Sequence, residues 1–182
     1  YPQAQWTQAV LPEEASAADA VDVQAWYQAG FEYQQATQLD LALTAYQKVL
    51  HHQPDHFNAA NMLATVLVQL GRNAEAVRAF DRVLSLDASY AITYHNRAVA
   101  LENLGRQDEA LAGYSRAIEL DPNYVSAYLS RGNLRLTLHR LPEALEDFER
   151  ALELSPTHVE LYDRRGVVLS RLKQHKKAID SY

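Results

Sequence analysis

The chain has 182 residues, a formal charge of −6, 48% apolar and 22% charged residues, and no cysteine. That balance belongs to a folded chain rather than a disordered one, and the missing cysteine excludes disulfides, cysteine–zinc sites and thiol catalysis. The acidic excess argues against general phosphate-backbone binding, and no apolar run approaches the roughly 20 residues of a membrane span.

In chain order, residues 1–22 come first as a leader or capping segment, partly helical. Gln3 to Val10 can form a short helix with Trp6 and Val10 on one side. Pro12-Glu13-Glu14 has the composition of a first helical turn, with acids at the positive helix end. Glu14 to Asp22 is alanine-rich and helix-compatible. The chain begins at Tyr1 and its only methionine is Met62, which reads as a processed or excised piece of a longer protein.

From residue 23 onward a period governs everything. Gly30, Ala64, Ala98, Gly132 and Gly166 are each 34 residues apart, as are Ala42, Ala76, Ala110, Ala144 and Ala178. Tyr46, Phe80, Tyr114, Phe148 and Tyr182 keep the same step, and Pro54, Pro122 and Pro156 share it. Such a repeat is sought before individual elements because it sets the architecture. The units are 23–56, 57–90, 91–124, 125–158 and an interrupted 159–182.

Each unit reads as two helices. In the third, Tyr94, Arg97, Ala98 and Leu101 share one face at i, i+3, i+4, i+7. Gly105 suits a left-handed helix end. Asp108 is a candidate N-cap for the second helix, whose apolar face is Ala110, Leu111, Tyr114, Ala117 and Ile118. Asp121-Pro122-Asn123 is the exit turn, since proline cannot continue a helix. Small residues at the crossing leave room for a facing aromatic, with Ala98 and Ala110 as space and Tyr94 and Tyr114 as bulk. If Tyr182 is a true chain end, the face around Val168, Leu172, Ile179 and Tyr182 is left partly bare, which invites self-association.

No catalytic constellation stands out. There is no phosphate-binding glycine loop and no HExxH. His51, His52 and His56 are the only histidine cluster, and Pro54 interrupts them, so they read as solvated turn histidines rather than metal ligands. Nothing calls for a cofactor. Arg97, Arg131 and Arg165 occupy one column. They form either a basic ladder or pairs with acids of the preceding repeat, such as Glu119 or Glu153.

These residues resemble the tetratricopeptide repeat family. The first unit matches its pattern with Trp26, Gly30, Tyr33, Ala42, Tyr46 and Pro54, and the third with Tyr94, Ala98, Leu101, Gly105, Ala110, Tyr114, Ala117 and Pro122. Departures are arginine at 97, 131 and 165 where leucine is usual, Arg135 where tyrosine or leucine is usual, and His139 and Lys173 in place of the turn glycine. The resemblance implies an all-α fold, a right-handed α-α superhelix of antiparallel helix pairs. It implies that first helices line a concave groove carrying Tyr27, Phe31, Gln34, Asn61, Thr65, Val68, His95, Asn96, Val99 and Asn133. Those residues are the expected peptide site: amides for an extended main chain, and Tyr27 with Phe31 as an apolar anchor, unless Phe31 packs on the leader. No lysine occurs at the groove positions, so the family's clamp for C-terminal carboxylates is not expected.

Charge is uneven. Residues 1–60 hold seven acids and one base, whereas 61–182 hold sixteen of each sign and end on the basic run 164–177. The expectation is a non-catalytic protein-interaction scaffold, taking a partner protein or extended peptide and no nucleic acid. Two alternatives are the substrate-recognition arm of a larger enzyme, such as a protein O-glycosyltransferase, and a self-assembling scaffold that forms homo-oligomers through its end repeats.

Overall fold

The computed structural model describes residues 22–179, with side chains described through residue 173. The expected leader helices and the side chains of Ile179 and Tyr182 lie outside the described residues. Among the described residues there are nine α-helices and no strand. Four hairpins come first: α1 (Val23–Gln35) with α2 (Leu39–His52), α3 (Phe57–Gln69) with α4 (Asn73–Leu86), α5 (Ala91–Asn103) with α6 (Gln107–Leu120), and α7 (Val125–Thr137) with α8 (Leu141–Leu154). A single long helix, α9 (Val159–Ile179), follows. The chain is an all-α repeat solenoid.

Within each hairpin the turn is made by backbone hydrogen bonds around one left-handed residue. Thr37, Gly71, Gly105 and His139 have φ of 57, 73, 75 and 59°. At Gly105 the Arg106 N–H donates to Leu101 O at 2.9 Å and Gly105 N–H to Glu102 O at 2.9 Å, a Schellman closure of α5. The other three turns repeat that pair of bonds. The next residue of the 34-residue series, Lys173, lies inside α9. This corrects the reading of the last unit as two helices. Lysine has no easy access to left-handed φ and is a good helix former, so the helix runs on.

A second correction concerns Asp108. The N-cap of α6 is Arg106, with no side-chain cap, and Asp108 sits within the first turn. There it complements the helix dipole, while Arg106 and Glu109 pair at 2.6 Å.

Close helix crossing fixes the small residues. A Cβ on Gly30 would lie 2.7 Å from the Tyr46 ring, and one on Gly132 2.7 Å from the Phe148 ring. In the third hairpin the tight approach is Ala98 against Gly113, at 2.9 Å for an added Cβ. Tyr46, Phe80, Tyr114 and Phe148 are all fully buried. At Gly166 an added Cβ meets nothing within 4 Å.

The apolar face of α9 also differs from expectation. Val168 is completely buried, whereas Val159, Tyr162, Val167 and Leu169 are exposed. The helical register places Val168 against the preceding hairpin and its cluster, leaving those four to the outside.

First helices approach one another, α3 with α5 and α7 with α9, and no comparable approach links α2, α4, α6 and α8. A stack whose first helices crowd together curves with those helices on its inner face. That face carries the candidate site.

Candidate functional site

Successive helical turns of α1, α3, α5 and α7 put Phe31, Thr65, Val99 and Asn133 in one column, and Gln34, Val68, Glu102 and Leu136 in the column one turn on. Phe31 is 44% exposed, a large apolar side chain with no burial reason to be there. Tyr27 is half-buried, its ring centroid 5.9 Å from that of Tyr46 and 5.3 Å from that of His56. Tyr27 and Phe31 thus lie one turn apart on α1.

Amides bridge the helices. Gln34 Nε2 donates to Gln69 Oε1 at 3.0 Å, tying α1 to α3. Gln34 Oε1 accepts from the Tyr46 hydroxyl at 3.3 Å. Burial, reinforced by Tyr27, pushes the Tyr46 phenol up to about 12, so the hydroxyl keeps its proton and donates. Asn61 is buried, and its Oδ1 accepts from the Thr93 hydroxyl at 3.3 Å, joining α3 to α5. That oxygen is committed to the scaffold rather than turned to a ligand. Thr65 donates to the Asn61 carbonyl at 2.9 Å.

His95 is half-buried. Its ring lies 5.5 Å from Tyr114 and 5.2 Å from Tyr124, centroid to centroid. Nδ1 meets Asn96 Oδ1 at 3.2 Å and Nε2 meets Ser130 Oγ at 3.0 Å. With Nδ1 donating to the amide oxygen, Nε2 accepts from the serine hydroxyl. Burial lowers the His95 pKa, against smaller opposing effects from Asn96, Ser126 and Glu102. The neutral ring therefore joins α5 to α7. Asn133 is half-buried, and its Oδ1 is buried without a hydrogen-bond partner among the described residues.

Thr65, Val68, Gln69, Asn96 and Val99 surround a depression between α3 and α5. Four of the predicted site residues, Thr65, Val68, Asn96 and Val99, converge there. Its volume is about 70 Å³, far below the roughly 300–1,000 Å³ of small-molecule sites. It has room for one side chain, not for a cofactor. Gln69 completes the rim, and its signal in the sequence is the neighbouring groove position to Val68.

Of the arginine column, Arg97 and Arg131 turn to the second helices, and Arg165 lies over the Tyr162 ring, 5.6 Å from its centroid. Arg97 Nε pairs with Asp81 at 2.7 Å. Arg131 pairs with Asp147 at 2.6 Å and also donates to Ser115 at 2.9 Å. Arg135 joins the same carboxylate at 2.8 Å. Neither Glu119 nor Glu153 is the partner; they take Arg116 and Arg150 one helical turn away. Asp147, 2% exposed, occupies the column where Ala45, Ala79 and Gly113 stand, so its role was not visible from the small-residue pattern.

Of the histidine cluster, His51 and His52 are exposed. His56 is instead the N-cap of α3, its Nδ1 accepting from Ala59 N–H at 3.1 Å. Among the described residues no three His, Asp or Glu side chains are placed to hold a metal, and no helix is long and apolar enough to cross a membrane.

Family models for the tetratricopeptide repeat match residues 27–91 and 125–158, and a further TPR repeat model matches 103–138. Comparison with curated proteins yields no match. Among solved structures, MamA 41-end from Desulfovibrio magneticus RS-1 is 19% identical, with a TM-score of 0.77 over 88% of this chain and 91% of that one. TTC0263, a thermophilic TPR protein in Thermus thermophilus, is 22% identical, with a TM-score of 0.72 over 82% of each chain. YrrB, described as a TPR protein with an unusual peptide-binding site, is 25% identical, with a TM-score of 0.70 over 80% of this chain and 75% of that one. The helix pairs, their 34-residue step and these matches agree: the chain belongs to the tetratricopeptide repeat family.

Proposed function

We propose that this chain is a non-catalytic interaction scaffold that binds an extended peptide along the inner face of α1, α3, α5 and α7. The observation that carries the reading is the depression between α3 and α5, where apolar Val68 and Val99 meet the amides of Gln69 and Asn96. One aliphatic side chain fits it, and the flanking Gln69 and Asn96 amides, whose oxygens already accept from Gln34 and His95, can donate from their NH2 groups to peptide carbonyls. Exposed Phe31 supplies a second apolar contact at the head of the same face. The likeness to YrrB, whose description includes a peptide-binding site, points the same way.

Panning a phage-displayed library of random 12-residue peptides against the full chain tests this. Enriched peptides are remade and titrated by calorimetry. Val99→Asp places a charge in the depression and should weaken binding at least tenfold while leaving the helical circular dichroism intact. Phe31→Ala should cost a smaller factor. Peptides that bind Val99→Asp and wild type equally would place recognition elsewhere.

A further inference from the structure

One column of the inner face alternates in chemistry, and the alternation is matched twelve residues later. Gln34 and Glu102 are each followed by a tyrosine whose buried hydroxyl reaches them: Tyr46 to Gln34 at 3.3 Å and Tyr114 to Glu102 at 2.7 Å. Val68 and Leu136 are instead followed by Phe80 and Phe148, which carry no hydroxyl and share their apolar clusters. The groove position is thus polar in the two hairpins that face it with tyrosine and apolar in the two that face it with phenylalanine.

At Glu102 the result is a fixed carboxylate. Tyr114 is almost fully buried, and burial, then the neighbouring Glu102 charge, raises its pKa. It remains a donor, and it holds one carboxylate oxygen in place on the inner face. Among the described residues of α1, α3, α5 and α7, no inward cation offsets the charge. Helices α1 and α3 carry no lysine or arginine, and Arg97, Arg131 and Arg135 turn away to Asp81 and Asp147. Glu102 lies three residues beyond Val99 on α5, about 4.5 Å along the axis.

We propose that the groove selects a basic peptide. It seats an aliphatic side chain between Val68 and Val99, and a lysine or arginine two residues away meets Glu102. In an extended chain, residues two apart project to the same side about 6.6 Å apart, so an aliphatic side chain and a long basic one can face α5 together, with Glu102 one helical turn from Val99. The proposal rests on the peptide-binding reading above and adds the charge of the ligand.

The peptides enriched by panning are the probes, each remade with its basic residues as glutamine and as glutamate. They are titrated against wild type, Glu102→Gln and Glu102→Arg at 50 and 300 mM salt. Glu102→Gln keeps an acceptor for Tyr114, as Gln34 does for Tyr46, so the fold should be retained; circular dichroism and the melting curve check this. The expected result is enriched sequences with a base two residues from an aliphatic side chain. Converting that base to glutamate should weaken wild-type binding about tenfold at low salt and less at high salt. Glu102→Gln should shrink the discrimination to about threefold or less, and Glu102→Arg should reverse it. Enriched peptides that respond to Val99→Asp but carry no such base, or that keep their preference in Glu102→Arg, overturn the charge assignment and leave the groove reading standing. No enrichment, or enrichment indifferent to Val99→Asp, overturns the groove reading itself.

Discussion

The solenoid holds two apolar clusters built by different means. The first runs from Trp26 to Leu134 through the first three hairpins and is filled with aromatic, aliphatic and alanine side chains. The second joins Tyr128 and the α7–α8 hairpin to Leu161 and Val168 of α9, and beside it Asp147 bridges Arg131 and Arg135 at 2.6 and 2.8 Å. At the corresponding places the second hairpin has Leu63, Leu67 and Ala79. One backbone geometry therefore tolerates either an apolar filling or a buried ion triad. Nearest-neighbour stacking explains why: each hairpin answers only to its own partner helix and the adjoining hairpins.

The largest expected effect tests the triad. Asp147→Ala strands two arginines and should destabilise by about 2–3 kcal/mol, short of the 3–5 kcal/mol of a fully buried pair, because Arg131 and Arg135 keep 15% and 22% side-chain exposure. Urea unfolding measures it. The combination Arg131→Leu, Arg135→Leu and Asp147→Ala copies the second hairpin and should recover most of the loss, since apolar replacement of a buried pair is often neutral. A triple variant as unstable as the single would break the equivalence of the two fillings.

Overpacking comes next. Gly132→Val drives a branched side chain into Phe148, already 2.7 Å from an added Cβ, and should cost about 2 kcal/mol. Gly166→Ala, with nothing within 4 Å, should instead gain up to about 1 kcal/mol from helix propensity. Thermal melts of the pair compare a closed crossing with an open one.

A smaller effect belongs to the boundary between the clusters, where His95 meets Ser130. Burial lowers the folded-state pKa of His95, so the unfolded chain takes up a proton first as pH falls. Stability should be full above about pH 6.5, the ordinary histidine value, and should decline below it until the folded ring also protonates. His95→Gln should flatten the acid side of the pH–stability curve. An unchanged slope in that variant would assign the acid loss to other groups.

Smallest, His139→Gly should gain roughly 1 kcal/mol or less, by removing a β-carbon from a left-handed residue. The same change at Thr37 should give a similar gain in the first cluster, since both turns have the same bonds. Melting temperatures read both.

How far the site was legible can be judged residue by residue. Thr65, Val68, Asn96 and Val99 were placed on one face by spacing and resemblance, and the structure brings them around one depression. Asn61 and His95 share that face in sequence, yet Asn61 Oδ1 and His95 Nε2 are spent between helices, because spacing gives a side chain's direction but not its partner. The hydroxyl that holds Glu102 comes from Tyr114. The twelve-residue alternation of tyrosine with a polar residue and phenylalanine with an apolar one was present in the sequence. It has meaning only once the two helices are known to face each other.

By itself, the sequence determined the period, the helix pairs and the positions of the small and aromatic residues. Those follow from local geometry: an apolar stripe every three to four residues, and turns repeating at a fixed step. Only the tertiary structure decided that Lys173 continues a helix instead of turning, and that Val168 faces inward while Val167 and Leu169 face out. It also decided that Arg97 takes Asp81 of the preceding repeat, whereas Arg131 takes Asp147 of its own repeat rather than Glu119. Each of these is a choice among competing partners. The outcome depends on which side chains are within reach across a helix interface, and no periodicity along one chain records that distance.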